Sequence, residues 1–314
     1  MAELRETSDM LMSSALKINT HKTYSSAQNK YLNFCSAYDI VPLPATEETL
    51  LLYVAFLFDL KLKGSSIRVY LAAVRSLHVF LGFGYPTDML RLKLAVKGAM
   101  SQSLPPVRKL PITFQILGEM LCAISTRFDF KLIAAAMSLA FFGCFRSGEL
   151  FITDSRMPFA IADNLCAGDV LIDRREKMLS IFLKKSKTDT CSQGVSVFVG
   201  CSGNKVCGYC AVVRYIDVMG GSDPDVPFFR DCSGGGLSKS YFVSVTRIAL
   251  AIAGYDPSLF SGHSYRAGAA TSAGDAGFDA WELQMLGRWN SSAYTIYLRN
   301  PKVVSTFAKR LVPH

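Results

Sequence analysis

No apolar run in the sequence is long enough to cross a bilayer. The two longest, Leu50 to Phe58 and Leu132 to Phe145, stop short of the roughly 20 residues that a spanning helix needs. Both read as buried core helices, and no membrane partner is expected. The first ten residues, MAELRETSDM, lack the basic head and apolar centre of a signal peptide, which points to an intracellular protein. A disulfide framework is missing too, because the nine cysteines are odd in number and scattered. Cys201, Cys207 and Cys210 form the one cluster. The CGYC pair has zinc-ligand spacing, but no second close pair follows, and Cys232 would have to serve as a distant fourth ligand. Reduced thiols are therefore favoured, with no metal and no cofactor. There is no internal repeat and no low-complexity tract.

Positive charge, by contrast, is in excess. Lys and Arg number 34 against 25 Asp and Glu, a formal charge of +9. The excess is spread: residues 1–109 carry 13 basic and 8 acidic side chains, and residues 110–314 carry 21 and 17. A polyanion such as DNA suits both halves. Half of the 314 residues are apolar, enough to bury the core of one large or two ordinary domains.

The segment 101–113, SQSLPPVRKLPIT, holds three prolines between helical patterns and is the best linker candidate. Before it, helices are expected over about 20–38, 46–60, 65–82 and 86–100, and after it over about 113–126 and 130–143. Three alternating stretches then predict a small sheet: DVLID at 169–173, MLSIFLKK at 178–185 and GVSVFVG at 194–200. Helical patterns return at about 208–219, 239–253, 264–276, 279–286 and 291–298. The expected fold class is mainly α with a small antiparallel β-sheet. In the third helix, Arg68 and Arg75 are seven apart and share one exposed face, with Lys61 and Lys63 just before it. That face is either simply solvated or phosphate-contacting.

A few residues could carry chemistry. In CFRSGEL, Arg146 and Glu149 lie three apart at the end of the most apolar helix, so the acid can orient the guanidinium; read alone, the pair is favoured as a structural ion pair. Lys187, in LKKSKTDT, sits where two strands should join, and is either a solvated turn lysine or one delivered to a phosphate. GHSYRAGAAT places His263 three residues before Arg266, so at helical spacing the two can address one ligand. LGRWNSSAYTIYLRN offers the Trp289 indole N–H and tyrosines at 294 and 297, with Arg288 and Arg299 expected on the surface or against the DNA backbone. Together these groups supply what phosphodiester transesterification needs. Fixed cations stabilise charge on the phosphate, a tyrosine hydroxyl attacks, and an acid protonates the departing sugar oxygen.

The ordered set Arg146, Lys187, His263-x-x-Arg266, Trp289, Tyr297 resembles the signature of the tyrosine recombinases, or phage-integrase family, with a Cre-like active site that has tryptophan where many relatives have a second histidine. The wording of HSYRAGAATSAGDAG, LGRWNSSAY and YLRNP is similar to recombinases of eukaryotic DIRS, Ngaro and Crypton mobile elements. TYSSAQNKYLNFC and SSIRVYLAAVRSLH look like that family's core-binding domain, so the resemblance spans nearly the whole chain. It implies a helical core-binding domain over 1–105, a linker over 106–113 and an α+β catalytic domain over 114–314, closing as a C-shaped clamp on DNA. It further implies that Arg146 and Arg266 clamp the scissile phosphate with Glu149 in support. Lys187 would protonate the leaving 5′ oxygen, ahead of Lys184 and Lys185. His263 would bind phosphate and assist proton transfer, Trp289 would donate to a phosphate oxygen, and Tyr297 would form a 3′-phosphotyrosine. Tyr297 follows Trp289 by eight residues where relatives usually have nine, which keeps Tyr294 as a rival.

The function so implied is site-specific cleavage and rejoining of double-stranded DNA, in integration or excision of a mobile element, by a homotetramer on DNA in the nucleus. A domesticated, inactive DNA-binding protein and a type IB topoisomerase-like relaxing enzyme are the alternatives. Val303, Val304, Phe307 and Leu311 in the tail recur at helical spacing and would dock into a neighbouring protomer or back onto their own.

Overall fold

The computed structural model describes residues 1–86, 88–105, 108–126, 130–153, 159–186, 193–220, 223–231 and 233–297. The chain divides into two compact units, Met1–Val107 and Arg108–His314. The described residues are mostly helical with one three-stranded antiparallel sheet, the fold class expected from the sequence. Among the described residues no helix is long and apolar enough to cross a membrane.

The first unit holds α1 (Ala2–Ser14), α2 (Ile18–Ala37), α3 (Glu47–Asp59), α4 (Gly64–Phe80) and α5 (Leu90–Gln102). Thr46 caps α3 by accepting the Thr49 N–H at 3.1 Å, and Glu47 and Glu48 add negative charge to its first turn. Tyr31, Leu50, Tyr53, Leu57, Ile67 and Val74 form the core. His78 lies inside that unit, fully buried. Its Nε2 accepts the Ala45 N–H at 2.8 Å while Nδ1 meets the Val74 carbonyl at 2.8 Å, so the bonds fix one neutral tautomer. Helix α1 is not predicted by the sequence pattern. Leu4, Met10 and Leu11 stay exposed on it, so no apolar stripe marks the segment.

The second unit starts with α6 (Phe114–Ala123) and α7 (Phe130–Phe142), then the single turn α8 (Ser147–Leu150). Strands β1 (Val170–Asp173), β2 (Met178–Leu183) and β3 (Val195–Gly200) pair in sequence order, with Ile181 opposite both Val170 and Val197. Helices α9 (Gly208–Met219), α10 (Lys239–Ile252), α11 (Ser264–Asp275) and α12 (Ala280–Gly287) follow, and a 3-10 turn (Ser292–Tyr297) stands where the sequence rhythm predicts an α-helix. Helix α7 is buried on nearly every side, as its uniformly apolar sequence requires, and α9 packs along it.

The described part of the expected linker is built into this second unit. Leu110 N–H donates to the Leu259 carbonyl at 2.7 Å, and Ile112 N–H to the Ser264 carbonyl at 2.9 Å. A Cβ on Gly268 would lie 1.7 Å from the Ile112 carbonyl oxygen, so glycine is what lets α11 meet this strap.

Candidate functional site

The site is organised around the end of α7. Past Phe142 the chain turns at Gly143 and Cys144, the latter left-handed at φ 48°. A Cβ on Gly143 would come within 2.0 Å of the Phe145 ring, so the corner needs glycine there. The turn presents two carbonyls to arginines from distant segments. Arg266 Nη1 donates to the Cys144 carbonyl at 2.6 Å, and Arg288 donates through Nη1 to the Gly143 carbonyl at 2.9 Å. Helix C-terminal carbonyls carry partial negative charge, which suits cations at this spot.

Arg146 follows directly, as the N-cap of α8. Glu149 closes the turn by accepting the Arg146 backbone N–H at 2.9 Å and its Nη1 at 2.7 Å. The same carboxylate, 5% exposed, accepts from Arg288 Nη2 at 3.0 Å. Two guanidinium groups, those of Arg146 and Arg288, thus share the Glu149 carboxylate, while Arg266 meets the same Cys144 carbonyl as Arg288. Arg288 corrects the expectation of a surface or DNA-backbone residue: it takes a left-handed conformation (φ 53°, ψ 47°) after α12 and turns inward, its side chain 13% exposed. Its partners are carbonyls from a segment over 140 residues away, which no local pattern discloses.

Arg266 is 1% exposed. One face of its guanidinium lies 4.5 Å from the centre of the Trp289 ring, and Nη2 donates to the Gly287 carbonyl. Burial lowers its pKa to about 10, with Arg146 and Arg288 pushing the same way, so it remains a cation at neutral pH. Burial pushes the central Cys144 thiol up to about 11, against the pull of Arg266 and Arg288. A buried cation with cations for neighbours is costly unless an anion joins it. The arrangement is suited to a phosphate.

His263, exposed, is the N-cap of α11, the helix whose third residue is Arg266. A Cβ on the preceding Gly262 would sit 3.0 Å from Ser147 Oγ, which places this turn against the start of α8 beside Arg146. The structure therefore brings Arg146, Glu149, His263, Arg266 and Trp289 into one region. Trp289 folds back over Gly287, where a Cβ would meet the indole at 1.8 Å. Tyr294 packs 8% exposed against Ala273 and Leu283 and lies 6.2 Å from Trp289, ring centre to ring centre.

Lys187 and Arg299 lie outside the described residues, as do Cys232 and the tail with Val303, Val304, Phe307 and Leu311. Tyr297 ends the 3-10 turn, and its side chain is also outside them. The competing lysines have other partners. Lys184 Nζ meets Asp169 Oδ2 at 2.6 Å and the Ile161 carbonyl at 2.9 Å, and Lys185 pairs with Asp163. In the first unit Lys61, Lys63, Arg68 and Arg75 are all exposed. Arg68 lines a groove of about 410 Å³ with Lys93 and Lys97 of α5. Those two lysines, four apart, are a basic pair that a count of charge along the sequence does not single out.

No family model matches the chain. Over 291 residues it is 25% identical to the integrase/recombinase xerD homolog of Selenomonas ruminantium, spanning 87% of this chain and 79% of that one. XerH site-specific recombinase, solved in a post-cleavage complex with palindromic difH substrate, aligns with a TM-score of 0.65 at 14% identity, over 92% of this chain and 79% of its own. A lambda integrase (75–356) dimer bound to a core site aligns at 0.62 and 16% identity, over 95% of both chains. The Tn1549 transposon integrase with circular intermediate DNA aligns at 0.62 and 14% identity, over 97% of this chain and 99% of its own. At these identities the solved structures share this chain's fold.

Proposed function

We propose that this chain, a member of the tyrosine recombinase (integrase) family, cleaves and rejoins double-stranded DNA at specific sites through a covalent phosphotyrosine. The observation that carries this reading is the buried arginine cluster with its excess of positive charge, built by three segments far apart in sequence.

Arg146 and Arg266 bind the non-bridging oxygens of the scissile phosphate and stabilise the charge that gathers there as phosphorus becomes five-coordinate. Glu149 positions Arg146 and, through Arg288, ties the α8 turn to the end of α12. The Tyr297 oxygen attacks phosphorus, the bond to the 5′ oxygen breaks, and Lys187 gives that oxygen its proton. His263 accepts the tyrosine proton. The reverse steps, with a different 5′ hydroxyl, rejoin the strand. The phosphate charge is met by guanidinium groups, so these steps call on no metal. Tyr297 is preferred to Tyr294 because the Tyr294 ring is occupied in packing.

The first unit contributes DNA-backbone contacts through Lys61, Lys63, Arg68 and Arg75, and the second unit the chemistry. Exchange between two duplexes calls for a tetramer on DNA. A nuclear location is inferred from the DNA substrate and from the resemblance of HSYRAGAATSAGDAG and LGRWNSSAY to eukaryotic mobile-element recombinases, and is tested by imaging the tagged chain. The central experiment is a nicked suicide substrate. An SDS-stable adduct lost in Tyr297→Phe and kept in Tyr294→Phe supports the assignment; the opposite pattern moves the nucleophile to Tyr294. The absence of any adduct in the unaltered chain would leave a DNA-binding module, and adducts without joining of two duplexes would leave a relaxing enzyme.

A further inference from the structure

The segment CSGNKVCGYC connects β3 to α9 and takes no part in the chemistry above. Cys201 immediately follows Gly200, the last residue of β3; Cys207 is the N-cap of α9, and Cys210 lies in its first turn. The seven-residue turn from 201 to 207 folds these thiols together. Cys201 Sγ is 3.6 Å from Cys210 Sγ and 3.8 Å from Cys207 Sγ, and all three sulfurs lie within 4.8 Å of one another.

These separations distinguish between arrangements. A disulfide would need its sulfurs about 2.0 Å apart. Thiolates at about 2.3 Å around a tetrahedral zinc ion are about 3.8 Å from each other, the edge of that tetrahedron. The surroundings also suit thiolates. Cys207 Sγ accepts N–H bonds from Cys210 at 3.4 Å and from Ser202 at 3.3 Å, so backbone donors are aimed at a sulfur that would carry negative charge. Cys207 is 1% exposed, while Cys201 and Cys210 are partly open, which leaves the cluster shielded yet reachable.

We propose that Cys201, Cys207 and Cys210 bind one zinc ion as thiolates, stapling the end of β3 to the start of α9. This reverses the weighing of the sequence alone, which lacked a near fourth ligand. Among the described residues no fourth histidine, cysteine or acid joins the three, and these three thiolates are the ligands the geometry assigns. Each thiol that binds gives up its proton, so uptake releases protons and is favoured as pH rises. The role is architectural. Gly208, next to Cys207, packs against Phe142, where a Cβ would lie 3.0 Å from the Phe142 Cβ. The staple thus holds α9 against the same end of α7 that turns into the Gly143–Cys144 corner. The proposal does not depend on the recombinase chemistry.

The test is metal analysis and native mass spectrometry of the full chain purified without added chelator. The expected result is one zinc per chain, retained through dialysis against a chelator of micromolar affinity, lost in Cys201→Ser and Cys207→Ser and kept in Cys122→Ser. Cobalt exchanged into the unaltered chain should show tetrahedral d–d bands and thiolate charge-transfer absorption. If a serine variant does not fold, thiol alkylation of the unaltered chain decides: Cys201 and Cys210 should be protected with zinc and react after a strong chelator, with Cys122 reactive throughout. Three results would each overturn the proposal: zinc that mild dialysis removes, which is adventitious; a Cys201–Cys210 disulfide on peptide mapping; or metal content unchanged in both serine variants.

Discussion

His78 and Arg266 are both fully buried polar side chains, one in each unit, and they are buried on opposite terms. The imidazole of His78 is closed: one ring nitrogen accepts from Ala45, the other meets Val74, and no charge is left over. Arg266 keeps a positive charge, commits donors to two carbonyls, and has Arg146 and Arg288 nearby with Glu149 as the acid between those two. A satisfied neutral group specifies packing, whereas an excess of buried cations is a cost that makes sense once an anion arrives.

The largest expected effect tests the charged side. Arg266→Met should slow suicide-substrate cleavage on the order of 10²–10³-fold, the scale of removing one preorganised donor to a charged transition state. Its melting temperature should stay level or rise, because the variant no longer buries an unbalanced charge. A fall in stability as large as the fall in rate would make Arg266 a packing residue and end the contrast. His78→Leu should behave in reverse. Leaving the Ala45 N–H without an acceptor should cost about 1–3 kcal/mol in denaturant unfolding, with the cleavage rate of the folded fraction unchanged.

A smaller effect separates binding from chemistry. Replacing Arg68 and Lys97 together by alanine should flatten the salt dependence of DNA affinity by about 0.9 in log–log slope for each phosphate no longer neutralised, without altering the rate at saturating DNA. An unchanged slope would show that the α4–α5 groove faces solvent in the complex. Smallest of all is Tyr294→Phe, which removes only a hydroxyl from a packed ring and should leave adduct formation within about twofold, since burial of the ring is retained.

Much of this architecture is legible in the sequence, for reasons that differ by element. The alternation in MLSIFLKK and GVSVFVG marks β2 and β3 because one face of each strand is buried. The Arg146–Glu149 pair is visible because three-residue spacing at a helix start brings the two side chains together by itself. The inward turn of Arg288 is not, since its acceptors come from the far end of α7 and only the fold supplies them. Likewise, Cys201 reaches the CGYC pair through a bend between strand and helix whose path no composition reveals. Helix α1 escapes notice for want of a buried stripe, and 292–297 keeps a helical rhythm while adopting the tighter 3-10 form.

Cys144 stands at the pivot of the arginine cluster, a side-chain-bearing residue held at a positive φ with its thiol in the interior. Its backbone oxygen receives hydrogens from two arginines that arrive by separate routes, Arg266 from α11 and Arg288 from beyond α12. A single peptide unit therefore works as the common reference point from which both are aimed. Swapping in a β-branched side chain, which resists that dihedral, would turn the oxygen away and misalign both arginines together while every charged group remained in place.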